Sequence, residues 1–280
     1  MSREGAGWCR GCAAPVGPDV GDGVVYARPV RYEAHVEHIE AHAAALRSAA
    51  VAAGPAAAVL TCPRWTVQRL LGHVGRVYAM AHGALATPAH GDPPRVAPAP
   101  DTWDDLLAWW DAKLGSLIER LRATAPEAPA WSFMPAGMPG TRTAAFWARR
   151  QAHETAVHRL DAEHARAGSD LPTAVPTLVF DPEFAADGID ELLTVLVPGA
   201  ARPVELEGRV LYHAADAGRL WVAHLRPGQP IEVGPAEGSE TSDDASVVGT
   251  ADAVYRAVWG RPSTALFSGD VTLLGALRTP

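Results

Sequence analysis

Apolar positions recur at helical spacing along four long stretches: Glu33 to Ala53, Thr66 to about Leu85, Thr102 to Ala123, and Thr143 to Ala167. In the third, Leu106, Leu107, Trp110, Leu114, Leu117 and Leu121 make one stripe, and Asp101 or Thr102 stands where a helix cap belongs. Gly168 closes the fourth. Proline-rich loops at 88–100 and 125–140 separate the helices. Four amphipathic helices of about 20 residues pack most economically as a bundle.

Beyond Gly168 the period changes. Residues 182–197 read as one more helix, ended by Pro198-Gly199. Short alternating runs follow at Val204–Tyr212, Arg219–Leu225 and Ile231–Val233, with a polar loop from Ser239 to Asp244. Ala251–Trp259 and Val271–Leu277 read as short helices. The expected fold is therefore α+β with two domains. Residues 1–29 are a Gly/Pro-rich extension without order, 30–170 the bundle, 171–202 a linker carrying a helix, and 203–280 a small α+β domain.

Composition narrows the function classes. An apolar fraction of 48% against 20% charged residues is that of a globular chain. The net charge of -8 argues against a nucleic-acid partner. Lys113 is the only lysine, which reads as the codon bias of a GC-rich bacterial genome. Without an 18-residue apolar run or an apolar leader, the expectation is a cytoplasmic chain with no membrane partner. Cys9 and Cys12 form a C-x-x-C with no second pair to complete a zinc knuckle.

The fourth helix carries the most suggestive chemistry. His153-Glu154-Thr155-Ala156-Val157-His158 approaches the H-E-x-x-H signature, but Val157 stands where its second histidine is needed. His153 and His158 lie about 140° apart around a helix and cannot share one ion, whereas Glu154 and His158 stack about 40° apart. A carboxylate and an imidazole so placed suit a borderline metal. His73, beside Leu70, Val74 and Val77 on the second helix, is the expected third ligand, which leaves an open position of the catalytic kind. Spacing alone leaves plainer readings open. An inward histidine is more often a core residue, and a Glu/His pair at i, i+4 is commonly a surface pair. His35, His38 and His42 on the first helix form a rival cluster, read as a solvated stripe or a set supporting the ligands.

Two segments resemble one known family. Cys62-Pro63-Arg64-Trp65-Thr66-Val67-Gln68-Arg69-Leu70-Leu71-Gly72-His73-Val74 is similar to the CPGWTVxDLxxHL segment of the mycothiol-dependent maleylpyruvate isomerases, a DinB-like bundle family. The run from Trp147 to Glu163 resembles that family's RRxAHETxVHRxDAE helix. The resemblance spans roughly residues 30 to 278. It implies a zinc-type divalent ion on His73, Glu154 and His158, mycothiol as co-substrate, and an electrophilic small molecule as the other partner. It also implies an arginine from the C-terminal domain, best matched by Arg261, with Arg256 and Arg219 as alternatives.

A dication makes a thiolate of a bound thiol, and an arginine clamps the carboxylate or enolate of the electrophile. Asp161 is expected to orient His158, or else to pair with Arg159 or Arg166 at the surface. His153 is a candidate at the catalytic site or a packing residue. The reading is a thiol-using transferase or maleylpyruvate-type cis–trans isomerase, with S-transfer slightly favoured. The alternatives are a non-catalytic, anti-sigma-like zinc regulator and a metal-dependent hydrolase.

Overall fold

The computed structural model describes residues 30–235 and 243–276. The expected extension at 1–29, Cys9 and Cys12, and most of the expected 239–244 loop lie outside the described residues.

Four helices form where the periodicity places them: α1 (Tyr32–Ala53), α2 (Val67–Ala84), α3 (Trp103–Arg122) and α4 (Ala144–Ala167). Threonine caps begin three of them. Thr66, Thr102 and Thr143 accept hydrogen bonds from the backbone N–H groups of Arg69, Asp105 and Phe146. Gly168 ends α4 in the left-handed region at φ 62°, which glycine adopts without steric cost. Ile39, Leu46, Leu70, Leu71, Leu106, Trp110, Leu117 and Trp147 are fully or almost fully buried between the helices. Leu107 and Leu114 sit at the edge of the α3 stripe, half-buried.

The α4 helix differs from its neighbours because it is covered nearly all round. Its buried set includes Arg150, Gln151, His153, His158, Asp161, Glu163 and His164. So many buried polar groups persist only where partners satisfy them. One flank meets α1 and α2, and another meets the second domain.

That domain begins with α5 (Pro182–Asp190), which continues through a π-helical segment, Glu191–Leu196, into α6 (Val197–Ala200). The wider turns present Glu191 to Arg150 of α4. Among the described residues seven strands follow: β1 (Pro203–Val204), β2 (Gly208–Ala214), β3 (Arg219–Leu225), β4 (Gln229–Pro230), β5 (Glu232–Pro235), β6 (Ala245–Gly249) and β7 (Leu266–Gly269). Two short helices, α7 (Ala251–Val258) and α8 (Val271–Gly275), flank the last strand. Five strands make one sheet in the order β5-β3-β2-β6-β7, with β2 and β6 parallel and the other pairs antiparallel.

The expected strand at Val204–Tyr212 is two strands: β1 pairs with β4 in a separate ribbon, and the chain turns at 205–207 before β2 enters the main sheet. Neither β6 nor β7 is apparent from the sequence pattern. Helix α7 packs on β2 and β6 and against α5, so the helix expected in the linker is part of this domain's body. No helix among the described residues is long and apolar enough to cross a membrane.

Candidate metal centre

Glu154, His158 and Asp161 follow one another at i, i+4 and i+7 on α4, which puts them on one face. His73 faces them from α2. Its Nε2 lies 3.0 Å from Glu154 Oε1, and His158 Nε2 lies 3.2 Å from the same oxygen. The three ligand-type atoms all fall within 4.8 Å of one another. Two imidazole nitrogens converging on one carboxylate oxygen make a donor set suited to a zinc-type ion. His73 does not lie inside the bundle as its neighbours suggested. Its side chain is 37% exposed at the mouth of the site, while that of His158 is 9% exposed.

A second layer fixes these groups. His158 Nδ1 lies 2.8 Å from Asp161 Oδ2, which leaves Nε2 as the nitrogen turned to the centre. Arg261 crosses from the second domain and grips Asp161 with Nε (2.9 Å) and Nη2 (2.7 Å). Thr61 donates to Asp161 as well, at 2.5 Å. Arg150 donates to the other oxygen of Glu154 at 3.3 Å. Trp65 closes one side, its ring 4.8 Å from that of His73 and 5.9 Å from that of His158.

The electrostatics follow from these contacts. Burial works to raise the Glu154 carboxyl and to lower the His158 imidazole. Hydrogen bonds from His158 and His73, with the charge of Arg150, nonetheless hold Glu154 well below the usual carboxylate range. Asp161 and Glu154 push His158 up to about 9. The metal-free centre therefore carries an imidazolium at neutral pH, and an incoming cation must displace its proton. Asp161 is depressed despite its burial, by Arg261 first and His158 next. Burial and Asp161 push the nearby Cys62 thiol up to about 11, so it is not itself a thiolate at neutral pH.

His73, Glu154, His158, Trp65, Arg64 and Arg261 all line one cavity of about 570 Å³. Of the arginines suggested for the site, Arg261 alone reaches it. Arg256 is buried on Pro176 and Asp252, and Arg219 binds Asp190 and lies over Trp221. His153 is also elsewhere. It is fully buried on another flank of α4, its Nε2 2.8 Å from Asp187 Oδ2, an oxygen that His35 Nε2 also meets at 3.0 Å.

The α1 histidines are thus not a solvated stripe: His35 and His42 are buried against α5, and the acid missing from the sequence reading is Asp187 of α5. His35, His153 and Asp187 converge as closely as the first triad, but Arg149 Nε also donates to that oxygen, at 3.1 Å. A guanidinium on the shared oxygen makes this group a hydrogen-bonded clasp between the domains. Thr61, Cys62 and Trp65 are site residues that the sequence reading left without a role. The only signal for Cys62 and Trp65 was membership of the Cys62–Val74 segment, and Thr61, one position before it, had none.

Comparison with known proteins agrees with this architecture. The family model described as the mycothiol maleylpyruvate isomerase N-terminal domain matches residues 36–163, and the MDMPI C-terminal domain model matches residues 183–276. Among solved structures, the mycothiol-dependent maleylpyruvate isomerase superposes with a TM-score of 0.56 at 14% identity, covering 85% of this chain and 93% of that one. A histidine-to-alanine mutant of the mycothiol-dependent maleylpyruvate isomerase gives 0.57 at 17% identity over the same shares. At such identities the likeness shows the fold. No curated protein matches the chain.

Proposed function

The chain belongs to the mycothiol maleylpyruvate isomerase family, and from that premise we propose that it is a metal-dependent enzyme joining a low-molecular-weight thiol to an electrophilic small molecule. Mycothiol is the thiol we assign, and the outcome is either S-transfer or a maleylpyruvate-type cis–trans isomerisation. The observation that carries the reading is the convergence of His73 Nε2 and His158 Nε2 on Glu154 Oε1 beside a cavity of about 570 Å³.

His73, Glu154 and His158 would hold the ion. A divalent metal held there would supply Lewis acidity, enough to favour the thiolate form of a thiol whose ordinary pKa is about 8.5. The protein's own residues do the rest. Asp161 holds His158 in one orientation, and Arg261 holds Asp161 in turn. Trp65 shields the two imidazoles from solvent on one side. Because Arg261 also donates from Nη1 to Trp259 O, most of its donors are engaged within the protein. We therefore give it a positioning role ahead of the substrate-clamping role that the resemblance implied.

A non-catalytic zinc module has no evident use for a cavity of this size closed by an arginine from a second domain. A hydrolase would need a general base beside the centre, and the acids nearest to it are occupied: Glu154 as ligand, Asp161 on Arg261.

The test is spectroscopic. Cobalt-substituted protein should develop a strong sulfur-to-metal charge-transfer band when mycothiol is added. The His158→Ala variant should not. Absence of the band in the wild type at millimolar thiol would contradict the proposal.

A further inference from the structure

Arg69, His73 and Arg76 lie four and three residues apart on α2, so they share one face, with the histidine between the two arginines. That face floors a second cavity, of about 660 Å³, whose other wall is the proline-rich segment containing Val96, Pro98 and Pro100. The segment rests on the helix at Gly72, where a Cβ would already lie 3.4 Å from Ala99 Cβ. Trp65 and His73 line both this groove and the chamber of the metal centre, so the two spaces adjoin at a ligand.

Several arginines elsewhere are neutralised by acids. Arg47 and Arg122 sit on Asp111 and Glu40, Arg149 on Asp187 and Asp190, and Arg261 on Asp161. Among the described residues no carboxylate lies within ion-pair distance of Arg69 or Arg76, nor of Arg64 in the adjoining chamber. Asp101, the acid on the groove's lining, engages Gln68 through its backbone oxygen. In a chain of net charge -8, the groove's lining sets Arg69 and Arg76 against the single carboxylate of Asp101, which leaves it net positive. Arg64 and Arg69 depart from the motif the segment resembles: Arg64 stands at its glycine and Arg69 at its aspartate.

We propose that this groove seats an anionic group, a carboxylate or a phosphate, of the electrophilic molecule that meets the thiol at the metal centre. Arg69 and Arg76 grip it on either side of His73. The guanidinium fork matches both oxyanions, and the apolar wall of Val77, Met80 and the prolines takes the carbon skeleton. The link to catalysis rests on the function proposed above. The binding of an anion does not.

The experiment is calorimetric titration of the full-length, cobalt-loaded chain at about 0.15 M salt with succinate, inorganic phosphate and neutral succinamide. Wild type should bind at least one anion, with succinamide weaker by about tenfold or more. R69Q/R76Q should lose about tenfold or more of the anion affinity. Both side chains are exposed, and because R69Q removes a guanidinium 5.9 Å from the Trp65 ring centroid, the thiol-free cobalt spectrum of the variant is matched to wild type first. R47Q/R122Q, which removes the same net charge elsewhere, should stay within about twofold of wild type, since distant charges are screened. Whichever anion binds more tightly identifies the group. No anion binding to wild type, equal binding by R69Q/R76Q, or equal binding of succinate and succinamide would overturn the proposal. The thiol-induced cobalt band is read on the same samples and should persist in R69Q/R76Q. Its absence from every sample, with anion binding still dependent on Arg69 and Arg76, would contradict the thiol reading and leave the groove assignment standing.

Discussion

At Glu154 a single carboxylate oxygen draws in imidazoles from two helices, and Asp161 and Arg261 keep one of those imidazoles turned toward it. If this is a metal centre, His73→Ala and His158→Ala should each lower bound zinc from one per chain to none after chelation and reloading. Asp161→Asn should keep the site but weaken it about 10- to 100-fold, because it disturbs the partner that orients His158. One zinc per chain retained in both histidine variants would place the ion elsewhere. The Glu154/His158 pair and its relation to Asp161 were legible in the sequence, since i+4 and i+3 spacings translate directly into a shared face. The partnership of His35 and His153 with Asp187 was not, because the acid arrives from another helix, 152 positions beyond His35 and 34 beyond His153.

His42 offers a separate test at this scale. Burial first, then Arg159 and His38, push its imidazole down to about 3 from an ordinary 6.5. Between those values the unfolded chain binds a proton that the folded chain does not, so stability is full above pH 6.5 and declines as pH falls toward 3. The metal-free wild type should lose on the order of a few kcal/mol across that window. His42→Leu should show a flatter profile in urea midpoints. Parallel profiles would contradict this account.

Among the elements, the four bundle helices were readable because each carried a local marker as well as a period: the Thr66, Thr102 and Thr143 caps and Gly168. Strands β6 and β7 carried none. Ala245–Gly249 is a short strand held on both sides, parallel to β2 on one of them, and Leu266–Gly269 is exposed along its whole length, so neither shows a clean alternation. The π-helical continuation of α5 was equally invisible, since Glu191–Leu196 has an ordinary helical composition.

The close approach of α5 to α4 and α7 depends on Gly188. A Cβ there would lie 2.2 Å from Tyr255 Cε2 and 2.6 Å from His153 Nδ1, both on buried rings with little room to move. Gly188→Ala should therefore destabilise the chain by about 1–3 kcal/mol, read as a lower urea midpoint. An unchanged midpoint would mean that α5 is free to shift.

Across the whole molecule, two polar clusters on different flanks of α4 divide the work. One faces the cavity and takes its arginine from the C-terminal domain, and the other ties α1, α4 and α5 together through Asp187. Asp187→Asn should cost about 3 kcal/mol of stability, since it leaves two histidines without their carboxylate and Arg149 with Asp190 alone. Its zinc content should stay at one per chain. Loss of zinc in that variant would show the two clusters to be one functional unit. Two cavities adjoin at His73, and under the function proposed above they would admit the small molecules.

The most direct test of a metal centre that receives a thiol is X-ray absorption on the zinc-loaded full-length chain, with and without mycothiol. The account predicts a shell of nitrogen and oxygen alone before addition, and one sulfur at about 2.3 Å afterwards. A nitrogen and oxygen shell unchanged at saturating thiol would contradict it.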